Sequence, residues 1–226
     1  MPSKQDMINR IALELRRPLL AANGTISAAI DTAIAIYQKD RFRISDIDPS
    51  VPTTFNTVVG QWIYTISDNE NIKTIFRIEY LNVFVGSTAQ KMTLRTPEAI
   101  HLLNQQNQQS GQPTDYAYEG NKIIIYPIPS GVWQIFIGGH ILVPAPTSLS
   151  DPDNPWMNWG EQLIRCHAKY EIATHITRNP TMAQAMSPDP DGGPNGKPGE
   201  TWRAWRRLKA ETNKIKSTGR IRAMQF

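Results

Sequence analysis

Hydrophobic positions in the first forty residues recur at helical spacing. Ile8, Ile11, Ala12 and Leu15 share one face of a helix that Ser3 and Asp6 are placed to cap, and Arg16, Arg17 and Pro18 mark its end. After Asn23 and Gly24 a longer stripe follows: Ile26, Ala29, Ile30, Ala33, Ile34 and Tyr37. Its alanines admit a close neighbour. Both stripes need further helices to cover them.

From Arg41 the period shortens, with Phe42 and Ile44 alternating with charged residues before a turn-rich stretch containing Asp48, Pro49 and Pro52. Strand-like runs then recur at 62–66, 72–80, 83–85, 92–94, 116–118, 122–126 and 132–137. Turn signals separate them, among them Asp68 with Asn69, Gly86 with Ser87, Gly120 with Asn121 and Ser130 with Gly131. One helix, about 96–108, interrupts the strands. Thr96, Pro97 and Glu98 open it, Ile100, Leu102 and Leu103 continue it, and a Gln/Asn-rich stretch at 105–109 reads as its solvated end.

Helical spacing returns at Trp159, Leu163, Cys166, Tyr170 and Ala173, with a short helical piece at 182–186. The order of helices, strands and helices predicts an α+β fold: a helical bundle with an inserted, mostly antiparallel β domain and a C-terminal helical arm. The expected boundaries are 1–40 for the N-terminal bundle helices, 41–150 for the β domain, 151–187 for the C-terminal bundle helices, and 188–226 for a linker and arm. The segment 188–199 is rich in proline and glycine and reads as a linker or exposed loop. The helix expected at 200–215 carries Trp202, Trp205, Leu208, Thr212 and Ile215 along one side, with no evident place in the main core. Docking on another subunit suits its tryptophans and arginines, and folding back on its own bundle is the alternative.

Composition adds that the chain folds and uses no disulfide. Hydrophobic residues make up 40% and charged residues 19%, and Cys166 is the single cysteine. No run of about 18 uncharged apolar residues suggests a spanning helix. Lys4, Gln5 and Asp6 carry no signal-peptide pattern, so the expectation is synthesis in a cytoplasm and no membrane partner. Charge is unevenly placed. Residues 197–226 hold nine Lys/Arg and two Glu, whereas residues 1–196 hold 15 basic and 18 acidic residues. A basic end on a slightly acidic body points to an acidic partner, nucleic acid or protein.

Candidate chemistry is sparse. His167, Glu171 and His175 share a helix face at metal-ligand spacing but lack the His-Glu-x-x-His order of zinc peptidases, so Glu171 is expected to contact a histidine instead. Asp189, Asp191 and Glu200 match three positions of a calcium loop, but Pro194 stands where that loop needs glycine. Asp151 and Asp153 suit a turn. No nucleophile elbow or phosphate-cradling glycine loop occurs. No catalytic residue, metal or cofactor is expected. Arg203, Arg206, Arg207, Lys209, Lys214 and Lys216 suit phosphate neutralisation, which makes non-specific nucleic-acid binding the alternative reading.

An ordered series of short signatures carries a family resemblance. Trp62, Ile63 and Tyr64 precede Ile75, Arg77 and Glu79; Leu94, Thr96, Pro97 and Glu98 open the helix; Gly111, Gln112, Pro113, Thr114, Asp115, Tyr116 and Ala117 lead into Asn121, Ile123, Ile125, Tyr126, Pro127, Ile128 and Pro129. The strand at 133–137, Leu149 with Ser150, and the helix near Trp159 complete it. Over about 5–178 the chain resembles the phage head-to-tail adaptors, the family that includes tail tubular protein A and related head-completion subunits of short-tailed phages.

The resemblance implies a virion protein at the head–tail junction, made in the host cytoplasm. It implies a ring, of twelve copies, between the portal protein ring and a tail or nozzle protein. DNA would pass through the ring without sequence-specific binding, and neither a cofactor nor a catalytic residue is implied. It also implies a portal-binding arm, which falls here on Trp202, Arg203, Trp205, Arg206, Arg207, Lys209, Lys214, Lys216, Arg220, Arg222 and Phe226.

Overall fold

The computed structural model of the protein describes residues 2–45, 53–69, 72, 75–106, 108–150 and 154–221; of Phe76 and 215–221 only the backbone is described. The fold is α+β. It divides into a helical unit, Met1–Ile44 with Val143–Phe226, and a β unit, Ser45–Leu142. Asp48, Pro49, Pro52, Asp151 and Asp153 lie outside the described residues.

The helical unit begins with α1 (Lys4–Leu15), whose start is a capping box: Ser3 Oγ accepts from the Asp6 amide, and the Asp6 carboxylate accepts from the Ser3 amide. A short helix, α2 (Leu19–Ala22), follows and has no counterpart in the hydrophobic pattern because none of its residues is buried. In α3 (Thr25–Tyr37) the six buried residues are the six of the stripe, Ile26, Ala29, Ile30, Ala33, Ile34 and Tyr37.

The returning chain forms α5 (Pro155–Asn158) and α6 (Glu161–Glu171), and α6 continues into a wider π turn at Ile172–Ile176. Then come α7 (Pro180–Ala185) and α8 (Glu200–Ile221). Trp159 does not join the α6 stripe. Gly160 intervenes between α5 and α6, and the Trp159 indole stays 67% exposed.

Residues 41–44 and 143–150, assigned to the β domain by the change of period, cluster with the helices. Phe42 meets Trp156 edge-on at 6.2 Å, and the Trp156 indole donates to the Val143 carbonyl at 2.7 Å. Both aromatic side chains are fully buried. Across α1 and α6, Glu14 accepts from Arg165 and from Lys169, and Arg10 reaches Glu161 at 2.8 Å.

The β unit contains β1 (Thr53–Asn56), β2 (Ile63–Tyr64), β3 (Ile75–Val85), β4 (Thr88–Lys91) and β5 (Thr93–Leu94), then α4 (Pro97–Gln106). β6 (Ser110–Gly111), β7 (Asp115–Glu119), β8 (Lys122–Tyr126), β9 (Ile128–Pro129) and β10 (Gln134–Ile141) complete it. One sheet runs β1-β10-β3-β4, all antiparallel; a second runs β2-β8-β7-β5, with β5 parallel to β7; β6 and β9 form a short parallel pair.

Phe55, Leu81, Val83, Ile135 and Ile137 of the first sheet share a core with Tyr64, Tyr116, Ile123 and Ile125 of the second. Residues on the second sheet's opposite face, Ala117, Ile124 and Tyr126, cluster with Ile100 of α4. The triple isoleucine of β8 is therefore buried on both faces, as a central strand requires. Gly120 and Asn121, both at positive φ, make the tight turn between β7 and β8.

Candidate functional site

The site proposed from the sequence lies on α8, and its first half is part of its own bundle. Thr201, Ala204, Leu208 and Thr212 are buried at spacings that place them on one face, and this face packs against α6. The expectation of a tethered arm without a place in the core is corrected here. Small residues at 201 and 204 let the helix approach closely.

The segment 188–199 is likewise folded onto the helix start. Thr201 Oγ1 donates to the Met186 carbonyl, and the Trp202 amide donates to Ser187 O at 3.4 Å. A side chain at Gly199 would place Cβ 2.5 Å from that same oxygen, so glycine is required for this approach.

Trp202 and Trp205 stack with ring centroids 4.9 Å apart and planes 13° apart. The Trp205 indole donates to Asp40 Oδ2 at 2.6 Å, just beyond the end of α3. Lys209 donates to the Arg41 carbonyl at 3.0 Å while its ammonium lies 4.7 Å from the Phe42 ring centre. Thr212 accepts from the Arg43 amide at 3.0 Å and donates to Leu208 O. Four consecutive residues, Asp40, Arg41, Phe42 and Arg43, are thus held by one face of α8. Arg43 also lies over the Trp159 ring at 5.5 Å.

The opposite face carries the charge. Arg203, Arg206, Arg207 and Lys214 are exposed, with Arg203 paired to Glu200 and Arg207 to Glu211, each at 3.2 Å. The helix backbone runs on to Ile221, nine residues past Thr212, or about 13 Å at 1.5 Å per residue. Lys216 and Arg220 lie in this extension. Arg222 and Phe226 lie outside the described residues.

His167, Glu171 and His175 face one another along the helix, with a hydrogen bond between His167 and Glu171. His167 Nε2 stands 3.2 Å from Glu171 Oε1, and His175 Nε2 stands 3.5 Å from Glu171 Oε2. The other ring nitrogen of His167, Nδ1, lies 2.9 Å from the Tyr37 hydroxyl. With Tyr37 donating to Nδ1, Nε2 carries the proton and donates to Glu171. Burial pushes His167 below the ordinary histidine range, although Glu171 opposes it, and pushes Tyr37 far up. Among the described residues no group of three or more His, Cys, Asp or Glu is placed to hold a metal. Cys166 is buried, and burial raises its thiol pKa.

The partners that α8 holds were not identifiable from pattern. Asp40 and Arg43 are ordinary polar residues in the sequence, far from α8 along the chain, and only folding makes them neighbours.

The family model for SU10 adaptor protein matches residues 3–191. The chain belongs to this family of phage head-to-tail adaptors. The match takes in the β unit and the helical unit as far as the loop before α8, so the adaptor's last helix lies beyond it. No curated protein matches the chain. Among the adaptor's described residues no helix is long and apolar enough to cross a membrane.

Proposed function

We propose that this adaptor forms a ring beneath the phage portal, joining capsid to tail around the DNA channel, and that the distal part of α8 and the tail after it reach the portal. The observation that carries the reading is the family match, which spans both units. The protein is made in the host cytoplasm and ends in the virion, its neighbours being the portal ring, further copies of itself in a ring of twelve, and a tail or nozzle protein. Its role is structural, and it is no enzyme.

The packing of α8 refines the docking part of this reading. Residues 200–212 serve the adaptor's own bundle, so the portal is met by Lys214, Lys216, Arg220, Arg222 and Phe226 rather than by Trp205 or Lys209. A tail that meets its partner only in the assembled junction leaves the isolated chain monomeric.

The test mixes the chain with its cognate portal ring and measures the mass of the complex, with and without residues 214–226. The full chain adds mass to the portal, and the truncated chain does not. A full chain that leaves the portal mass unchanged overturns the adaptor reading.

A second reading is favoured by the exposed row of Arg203, Arg206, Arg207 and Lys214, which suits non-specific binding to nucleic-acid phosphates. Tight, steeply salt-dependent binding of duplex DNA by the isolated chain supports it.

A further inference from the structure

The chain contains two Asn-Gly pairs, Asn23 with Gly24 and Asn195 with Gly196. This dipeptide has an intrinsic reaction open to it. The backbone nitrogen of the glycine, with no side chain beside it, can attack the amide carbon of the preceding asparagine and expel ammonia. Whether it does so depends on the freedom of the asparagine side chain and of the peptide that joins the pair. The fold treats the two pairs differently.

Asn23 is held at the junction of α2 and α3. Its Oδ1 accepts from the Thr25 amide at 3.1 Å and from the Thr25 hydroxyl at 2.6 Å, a local turn that fixes the side chain. Gly24 is tied as well. Its amide donates to Ala21 O at 3.3 Å, and its carbonyl accepts from the Ala28 amide at 3.0 Å where α3 begins. Turning this peptide until the nitrogen reached the side-chain carbon would break the turn and unravel the helix start.

Asn195 stands at the tip of the loop between α7 and α8. Pro194, Asn195, Gly196 and Lys197 are all exposed, whereas Gly193 and Gly199 on either side are buried. Asn195 is left-handed at φ 58 and Gly196 follows at φ 67, with no atom within 4 Å of where a side chain at Gly196 would begin. Among the described residues the Asn195 side chain makes no hydrogen bond. The loop's anchors lie at its ends, where Thr201 and Trp202 donate to the carbonyls of Met186 and Ser187. The tip can therefore turn without disturbing α8.

We propose that Asn195, and not Asn23, is a site of spontaneous deamidation in the folded chain. The Gly196 nitrogen gives up its proton and bonds to Asn195 Cγ; the Cγ–Nδ2 bond breaks, ammonia leaves, and a cyclic succinimide remains. Water adds to either ring carbonyl and opens the ring, giving aspartate or, when the backbone bond is the one broken, isoaspartate. Both products carry a carboxylate where the amide stood. It joins Asp189, Asp191 and Lys197 in the loop, so older molecules carry one more negative charge than fresh ones just ahead of the basic helix.

The test keeps the full chain folded at mildly alkaline pH for weeks and weighs the peptides that span each pair. The Asn195 peptide gains about 1 Da and separates into two products of equal mass, while the Asn23 peptide keeps its mass over the same interval. In concentrated urea both peptides convert at similar rates. Asn195→Gln removes the acidic species that the aged chain shows on ion exchange, and Asn23→Gln does not. Conversion of Asn23 as fast as Asn195 in the folded chain overturns the proposal, as does an Asn195 peptide that keeps its mass. An Asn23 that stays slow in urea also overturns it, since its protection would then come from sequence rather than from the fold.

Discussion

The indole of Trp205 donates a hydrogen bond to the carboxylate of Asp40 at 2.6 Å, joining two residues 165 positions apart. A hydrogen bond to an ionised group contributes about 1.5–3 kcal/mol when desolvated, and less where one partner is half exposed. Trp205→Phe keeps most of the stacked surface against Trp202 and removes the donor. The expected loss is about 1 kcal/mol, read as a lower urea midpoint with an unchanged denaturant slope.

Truncation separates the two halves of α8. Removing residues 214–226 deletes nothing that the described bundle buries, and the expected shift in Tm is within about 2 °C. Removing residues 200–226 strips Ala204, Leu208 and Thr212 from the bundle, and the protein melts at least about 10 °C lower or fails to stay soluble. Equal Tm values for the two truncations would show that α8 contributes nothing to the bundle.

His167 gives the helical unit a pH dependence. Burial lowers its pKa below that of the unfolded chain, so the unfolded state binds the proton that the folded state resists. Stability is fully present above the ordinary histidine value of about 6.5 and declines as the pH falls below it. His167→Gln, which retains hydrogen-bonding groups toward Tyr37 and Glu171, flattens this decline. Urea unfolding at intervals between pH 5 and 8 checks it.

Glu14 acts in the more acidic range. Burial raises its pKa, but Lys169 and Arg165 together outweigh burial and hold the carboxyl below the usual glutamate range. A depressed acid contributes stability above its unfolded value, and that contribution is lost as the pH falls through the folded one. Glu14→Gln lowers stability at pH 7 and shows a shallower acid limb below about pH 4.5, measurable in the same unfolding series.

Gly139 sits at an irregularity in the register of β10 against β3. A Cβ there would stand 2.1 Å from the Arg77 carbonyl oxygen, a backbone atom that cannot turn aside as a flexible side chain would. Gly139→Ala destabilises by about 2–3 kcal/mol. Gly86→Ala, where no atom lies within 4 Å of the added methyl group, loses only about 1 kcal/mol through its positive φ. Chemical denaturation of both variants compares steric overlap with backbone strain.

Much of the helical unit was legible because its signals are local. The α3 stripe and the Ser3–Asp6 cap each lie within one element, where spacing and residue type are sufficient; in the β unit the Gly120–Asn121 turn is equally local. Features that depend on distant partners were not. Thr88, Ala89, Gln90 and Lys91 are all exposed, so β4 shows no alternation; its strand character comes from its pairing with β3. The parallel pairing of β5 with β7 leaves no mark in two residues.

The apolar side of α8 was visible, but a stripe does not reveal which helix covers it. The Pro/Gly content of 188–199 was read as slackness, whereas Gly193 and Gly199 serve close backbone approach within a folded turn.

The helical unit is built from two separated lengths of chain, and this sets an order of events on the ribosome. Tyr37 meets His167, whose codon is read 130 positions later. At about 5–20 residues per second, α3 waits on the order of ten seconds for α6 to emerge. The intervening Ser45–Leu142 segment is contiguous and can complete its sheets first. Throughout that interval the face of α3 that α6 will cover lacks its partner, and only α1 and α2 are available to pack on the helix.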